Sequence, residues 1–319
     1  MAPNPRRDTP AGRAYNDLRN KARREGRPTD ELLTLFVLER FLYRLSRSDV
    51  SDRFALKGGM LLSAYHARRT TRDADLSGIG ISVTGDDAVA VMGRVAGMAV
   101  DDGVEFLVGQ IRSRAIREDG PYGGTRVVIP AQVARFRTSV QIDVSAGDPI
   151  VPGAQRIDFP QQLGDSSFEV LAYPIETVLA EKVLTALERS DANTRVRDYA
   201  DIWRLIAANA FAGAVLLEAV AKTADHRGLK PGPLSERITS LVDLRSRTYR
   251  EWRTRLGPDG EAYPEDFAKV VAKVVAAVVA FADPLLVGEV VGAKWDPGAR
   301  SWRQRPSAEG PRWAVRWSG

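Results

Sequence analysis

The alternation of apolar and polar positions changes texture three times along the chain. Thr9-Pro10 opens a basic stretch, PAGRAYNDLRNKARREG, whose helical spacing is closed by Gly26. A second helix follows from Thr29, with Leu32, Leu35, Phe36, Leu42 and Leu45 forming one buried stripe. The rhythm then shortens. RFALKGG predicts a short strand and a turn, MLLSAYHARR a helix of about two to three turns, and DADLSGIGISV another strand. Further strands are predicted at VEFLVGQIRSRAI, TRVVIPA and SVQIDVSA. From Pro174 to about Leu286 the pattern is almost entirely helical.

These elements predict an α/β (α+β) chain. Basic helices occupy residues 1–48, a mixed α/β core residues 49–166, a mainly helical domain residues 167–290, and a Trp/Arg-rich tail residues 291–319. Pro149, Pro152 and Pro160 among polar residues mark 147–166 as a linker or domain junction.

Composition narrows the chemistry. The 319 residues are 44% hydrophobic and 27% charged, ordinary for a chain able to bury a core. The absence of Cys excludes disulfides and thiolate zinc sites. With His66 and His226 as the sole histidines, Ser-His-Asp chemistry and His-rich metal sites are poorly supplied. A metal would be held by carboxylate oxygens, which points to Mg²⁺ or Mn²⁺. No signal-peptide apolar core opens the sequence, and the apolar run from Val270 is interrupted by Lys273, Asp283 and Pro284, so the expectation is a cytoplasmic protein without a membrane span.

Charge is +5 overall and concentrated at the ends. Residues 1–28 carry eight Arg or Lys against three acids, and residues 294–319 six against two. Polyanions such as nucleic acid are plausible partners for such termini. Trp295, Trp302, Trp313 and Trp317, interleaved with Arg, suit either base stacking or packing of the tail onto the helical domain.

The sharpest chemistry lies in FALKGGMLLSAYHARRTTRDADL. In a strand, residues two apart share a face about 7 Å apart, so Asp73 and Asp75 project together while Ala74 and Leu76 turn to the core. Two like charges side by side cost stability unless a cation compensates them. In SVQIDVSA, Val140, Ile142 and Val144 take one face and Gln141, Asp143 and Ser145 the other. If the two strands are neighbours, Asp143 joins the cluster, and three carboxylates suit two divalent metals about 4 Å apart for in-line displacement at phosphorus. Gly58 and Gly59 then let a polyphosphate approach the backbone, with Lys57 as a point charge.

A second constellation lies in YPIETVLAEKVLTALERS. Ile175, Val178, Leu179, Val183, Ala186 and Leu187 form one stripe with Lys182 in its middle, so this ammonium must pair with an anion or snorkel to an edge. Glu181 falls on the opposite, solvated face, and Glu176 at the margin as a helix N-terminal acid or positioning partner. In NTRVRDYADIWRLI, Arg195, Asp198 and Asp201 bracket a helix start. Asp198 fits a dipole partner, an ion-pair partner of Arg195, or a general base.

With both constellations in view, the chain resembles the AbiEii/AbiGii toxin family of nucleotidyltransferases, including the MenT-type toxins, within the DNA polymerase β-like superfamily. The resemblance rests on LKGG at 56–59, TRDADL at 71–76, QIDV at 141–144, IETVLAEKVLTAL at 175–187 and RVRDYADI at 195–202. It implies a nucleotidyltransferase mixed-sheet core and metal-dependent transfer of a nucleoside monophosphate from an NTP, with release of pyrophosphate. In that scheme Gly58 and Gly59 hold the triphosphate, Asp73 and Asp75 bind the metals with Asp143 as a further ligand, Lys182 and Arg195 contact phosphates, and Asp198 activates or positions the acceptor. Related toxins extend the 3′ end of tRNA, block aminoacylation, and are neutralised by an antitoxin, in some cases by phosphorylation two residues before the first Asp, here Thr71. The chain has Arg197 and Gln141 where the family often has Lys. Two other outcomes share this frame: nucleotide transfer onto a protein, and a non-catalytic nucleic-acid-binding module.

Overall fold

The structure, a computed structural model, describes residues 5–67, 71–81, 85–117, 123–145, 147–230, 232, 238–274 and 292–304. Thr9 caps α1 (Pro10–Arg24) by accepting the Gly12 amide at 3.1 Å, and Gly26 follows the helix at φ 64. In α2 (Thr29–Ser46) all five expected stripe residues are buried. These helices, with α4 (Gly85–Ala96), cover one face of an eight-stranded mixed sheet.

The strands are β1 (Phe54–Lys57), β2 (Asp73–Gly78), β3 (Glu105–Phe106), β4 (Arg112–Arg117), β5 (Gly123–Val133), β6 (Phe136–Ser145), β7 (Gln155–Pro160) and β8 (Ser167–Ala172). Their order is β3-β5-β6-β2-β1-β8-β7, with β4 also paired to β5. β2 runs parallel to β6 and β1 parallel to β8, while the hairpin neighbours are antiparallel. The covered face is apolar: Leu56, Ala74, Leu76, Val140, Ile142, Val144, Val170 and Ala172 are all buried. Burial of this face against α2 supplies the main hydrophobic drive for the core, at about 25 cal/mol per Å² of apolar surface.

Three expectations are corrected. MLLSAYHARR does not form a helix of two to three turns. The helix α3 (Gly58–Leu61) is a single turn, followed by turns ending at His66 with φ 55. Tertiary bonds capture the carbonyls that a longer helix would use: Asn209 Nδ2 donates to Tyr65 O at 2.9 Å and Arg204 to His66 O at 3.0 Å. The region 147–166 contains strand β7, and β8 extends the sheet to Ala172, so the sheet runs past the expected boundary at 166. VEFLVGQIRSRAI is broken by a tight turn at Val108–Gln110 into β3 and β4.

Beyond the sheet lie α5 (Ile175–Arg189), α6 (Val196–Ala208), α7 (Gly213–His226) and α8 (Leu241–Arg255). A hairpin of β9 (Ala293–Asp296) and β10 (Ser301–Gln304) closes over them. Trp295 is buried, stacks on Phe211 at 5.8 Å and donates its indole N–H to Ile206 O at 2.7 Å. Trp302 meets Phe211 edge-on at 5.5 Å. These two Trp therefore pack the hairpin onto the helices. Trp313, Trp317 and the expected helix from residue 275 to Leu286 lie outside the described residues. Among the described residues, no helix is long and apolar enough to cross a membrane.

Trp295→Ala should destabilise the fold by about 3–5 kcal/mol, because it leaves a cavity and an orphaned carbonyl. Urea unfolding followed by circular dichroism measures it, and an unchanged midpoint would contradict the packing role.

Candidate active site

The polar face of the sheet carries a row of charges set by strand register. Asp75 is aligned with Asp143 across the parallel β2/β6 pair, and Asp73 with Gln141. On the far side of β6, Arg126 is aligned with Asp143, and on the far side of β2, Lys57 is aligned with Asp75. The row reads Arg126, Asp143, Asp75, Lys57, with neighbouring strands about 4.8 Å apart. The two central carboxylates are like charges side by side, and the cations flank them.

Arg126 grips Asp143 through both carboxylate oxygens, with Nε to Oδ1 at 2.6 Å. The Arg126 pKa is raised first by this hydrogen bond, then by the field of Asp143 and those of Asp73 and Asp75, against the opposing effect of burial. Thr71, itself buried, donates its hydroxyl to Asp73 Oδ1 at 2.5 Å and so orients the first carboxylate. Gly58 has φ +65, and a Cβ there would lie 1.8 Å from Asp75 Oδ2. Glycine at this position thus lets the Asp75 carboxylate rest against the backbone that opens α3.

The helical side presents a second cluster. The stripe on α5 is buried as expected, and Lys182 is paired rather than snorkelling: its Nζ lies 2.8 Å from Asp201 Oδ2 and 3.2 Å from Asp198 Oδ1. Burial alone would raise the Asp198 pKa, but the charge and hydrogen bond of Lys182, helped by Arg197 and Arg195, hold it below the usual carboxylate range. Arg195 precedes α6, its amide held by Asn193 Oδ1 at 2.8 Å. Glu176 accepts the Ala212 amide at 3.3 Å just before α7, a positioning contact between helices.

Glu181 is where the sequence reading fails. Helical spacing places it on a solvated face. It is half-buried, and its carboxyl donates to Asp148, with its pKa pushed up from the ordinary 4.5 to about 7 by burial first and then by the Asp148 charge. Asp148 in turn is gripped by Arg227, Nε to Oδ1 at 3.0 Å, and Arg227 also donates to Thr185 at 3.0 Å. Burial works to raise the Asp148 pKa, and the Arg227 bond and charge overcome it, so it is lowered. Lys57 lies close enough to act on both acids, so this cluster joins the strand bearing the glycine turn to helix α5. A cavity of about 550 Å³, lined among others by Asp52, Ser77, Gly147, Asp148 and Leu171, opens beside it.

The structure thus brings Lys57, Gly58, Asp73, Asp75 and Asp143 together along the sheet, and Lys182 with Asp198 on the helices. Asp73 and Asp75 present the hard oxygen donors that Mg²⁺ or Mn²⁺ takes, and they fit such an ion when completed by phosphate oxygens. Asp143 is engaged by Arg126, and among the described residues no three acidic or His side chains form a ready-made metal cage.

A profile described as "Nucleotidyl transferase AbiEii toxin, Type IV TA system" matches residues 40–273. The chain belongs to the AbiEii nucleotidyltransferase toxin family. Solved structures similar to it include two from Helicobacter pylori. One, described as a candidate nucleotidyltransferase from H. pylori, has 14% identity and a TM-score of 0.49, covering 78% of this chain and 94% of its own. The other, JHP933 from Helicobacter pylori, has 13% identity and a TM-score of 0.43, covering 79% and 92%. No curated protein matches the sequence.

The span shared with AbiEii toxins runs from within α2 to the helical residues after α8, so both charged clusters lie inside it, while α1 and the β9–β10 hairpin lie outside. Within this AbiEii frame, the residues that sequence reasoning misses are Arg126, Asp148, Glu181 and Arg227, and the sequence pattern shows Asp201 only as a residue that brackets a helix. Arg126 had a signal, its alternation within TRVVIPA, but its partner depends on strand pairing. The Asp148–Arg227 contact joins residues 79 apart, and no local pattern announces it.

Gly58→Ala should cost about 1–3 kcal/mol and displace Asp75, which a denaturant melt reads as a lowered midpoint. Glu181→Gln tests the shared proton. Because the folded pKa lies above the unfolded one, wild-type stability from this group is present below about pH 4.5 and is lost as pH rises through about 7. The Gln variant should lose that decline, on the order of 1 kcal/mol between pH 5 and 8. Parallel stability–pH curves for the two proteins would contradict it.

Proposed function

We propose that this AbiEii protein transfers a nucleoside monophosphate from an NTP to the 3′ end of tRNA, so that aminoacylation and translation stop. The observation that carries the reading is the β2/β6 register, which aligns Asp75 with Asp143 and leaves Asp73 on the same face, flanked by Arg126 and Lys57. In this reading Asp73 and Asp75 hold Mg²⁺ or Mn²⁺, which when bound neutralises the triphosphate and orients its α-phosphorus. In this reading Gly58 seats the Asp75 carboxylate against the Gly58-Gly59 turn, which places the turn beside the bound phosphates, and Lys57 adds a charge next to them.

The terminal hydroxyl of the acceptor attacks the α-phosphorus in line. The new oxygen–phosphorus bond forms as the bond to the β-phosphate oxygen breaks; pyrophosphate leaves, and the hydroxyl proton passes to the Asp198 carboxylate and on to solvent. Asp198, kept ionised by Lys182, accepts a hydrogen bond from the attacking hydroxyl and positions it. Lys182 and Arg195 offset negative charge accumulating on the phosphates. Since Lys182 already serves two carboxylates, its first role is to hold Asp198 and Asp201 in place.

The toxin family implies an antitoxin partner. Thr71 is a candidate point of control, because its hydroxyl bonds directly to Asp73. A phosphate there would set two negative charges against a carboxylate that must bind a cation.

Asp73→Ala should lower labelling of total tRNA by an α-labelled NTP at least about 100-fold while leaving the circular dichroism spectrum unchanged. Full activity in that variant would end the metal-site assignment. Label on cell protein instead of tRNA would move the acceptor to a side chain, and RNA binding without pyrophosphate release would leave a binding module.

A further inference from the structure

The row of charges on the polar face does not stop at Arg126. In β4, Arg114 is aligned with Arg126 and Arg112 with Val128, which is itself aligned with Gln141. Arg114 therefore continues the line through Arg126, Asp143 and Asp75, and Arg112 the line through Gln141 and Asp73. Both arginines are exposed, and neither makes an ion pair or side-chain hydrogen bond among the described residues. The intervening Ser113 and Ala115 carry no charge. Among the described residues β4 pairs with β5 alone.

Charged side chains on an outer strand discourage edge-to-edge pairing, and either sign or either face would serve that purpose. Here the chain places two guanidiniums on the carboxylate face, and it sets Arg114 directly beside another arginine. Like charges directly opposite each other destabilise a strand pair. Arg126 is neutralised by Asp143, whereas Arg114 has no acidic partner among the described residues. That arrangement suits an anion supplied from outside.

We infer that Arg112 and Arg114 form a binding strip for the phosphate backbone of an RNA acceptor, holding it while its terminal hydroxyl lies at the Asp73–Asp75 centre. The inference rests on the proposed transfer to RNA and assigns the residues that hold the acceptor. From β4 to β2 is three strand spacings, about 14 Å. At a rise of about 3.4 Å per phosphate along a helical strand, the arginines meet phosphates roughly four nucleotides back from the reacting end. Arginine suits this role because its planar fork bonds two phosphate oxygens at once.

The test compares the full chain with R112Q/R114Q. Filter binding of total tRNA at several salt concentrations gives Kd and its salt slope, and labelling assays give separate KM values for tRNA and for NTP. The double variant should raise the Kd and KM for tRNA about tenfold or more and reduce the salt slope by about two, one per lost phosphate contact. The KM for NTP and the melting temperature should not change, and R112K/R114K should recover most of the slope. R250Q/R255Q, which removes the same charge from exposed positions on α8, should leave the slope near that of the wild type. If the wild type binds and labels tRNA and R112Q/R114Q does so with the same slope, or if R250Q/R255Q loses as much, the strip is wrong and the transferase reading stands. If the wild type neither binds nor labels RNA, both fall together.

Discussion

The parallel pairing of β2 with β6 is the constraint on which the site depends. It aligns Asp75 with Asp143, two carboxylates on adjacent strands, on a face where Asp73 also projects. Such a pairing opposes folding on electrostatic grounds, so its neighbours are built to tolerate it. Arg126 takes Asp143, Lys57 flanks Asp75, and the Thr71 hydroxyl serves Asp73. The apolar face beneath, from Ala74 and Leu76 to Ile142 and Val144, holds the register against this repulsion. A slip of one residue would expose those four side chains to water and bury the acids.

Helix α5 connects this sheet to the rest of the molecule through two consecutive residues. Lys182 turns toward α6 and its two carboxylates, while Glu181 turns toward Asp148, Arg227 and Lys57. Neighbours in a helix are separated by about 100°, so one short segment serves two clusters. The Lys57 end of this link is one residue from Gly58, whose missing side chain makes room for Asp75. Contiguous charges and close contacts thus run from α5 through Lys57 to the seat of Asp75 at Gly58.

Much of this was legible from residues close in sequence. The DxD alternation, the glycine turn, the stripe on α5 and the need to pair Lys182 all follow from periods of two and 3.6. The same logic misplaced Glu181. Helical periodicity says only that it lies away from the main stripe, and that second face is covered by Asp148 and Arg227 from distant segments. It also overextended the helix after Gly58, since Tyr65 and His66 give their carbonyls to α6 and the residue after it.

The sequence by itself determined which residues alternate, which face of each element is apolar, and that two carboxylates must share one side of a strand. Those are local consequences of backbone geometry, repeated at every turn or pleat. Only the tertiary structure decided which strands became neighbours, and hence that Asp143 meets both Asp75 and Arg126, that β7 and β8 complete the sheet, and that Trp295 is a packing residue. Pairings between distant segments depend on how well whole faces bury against one another, a property of the assembled core that no single stretch of chain contains.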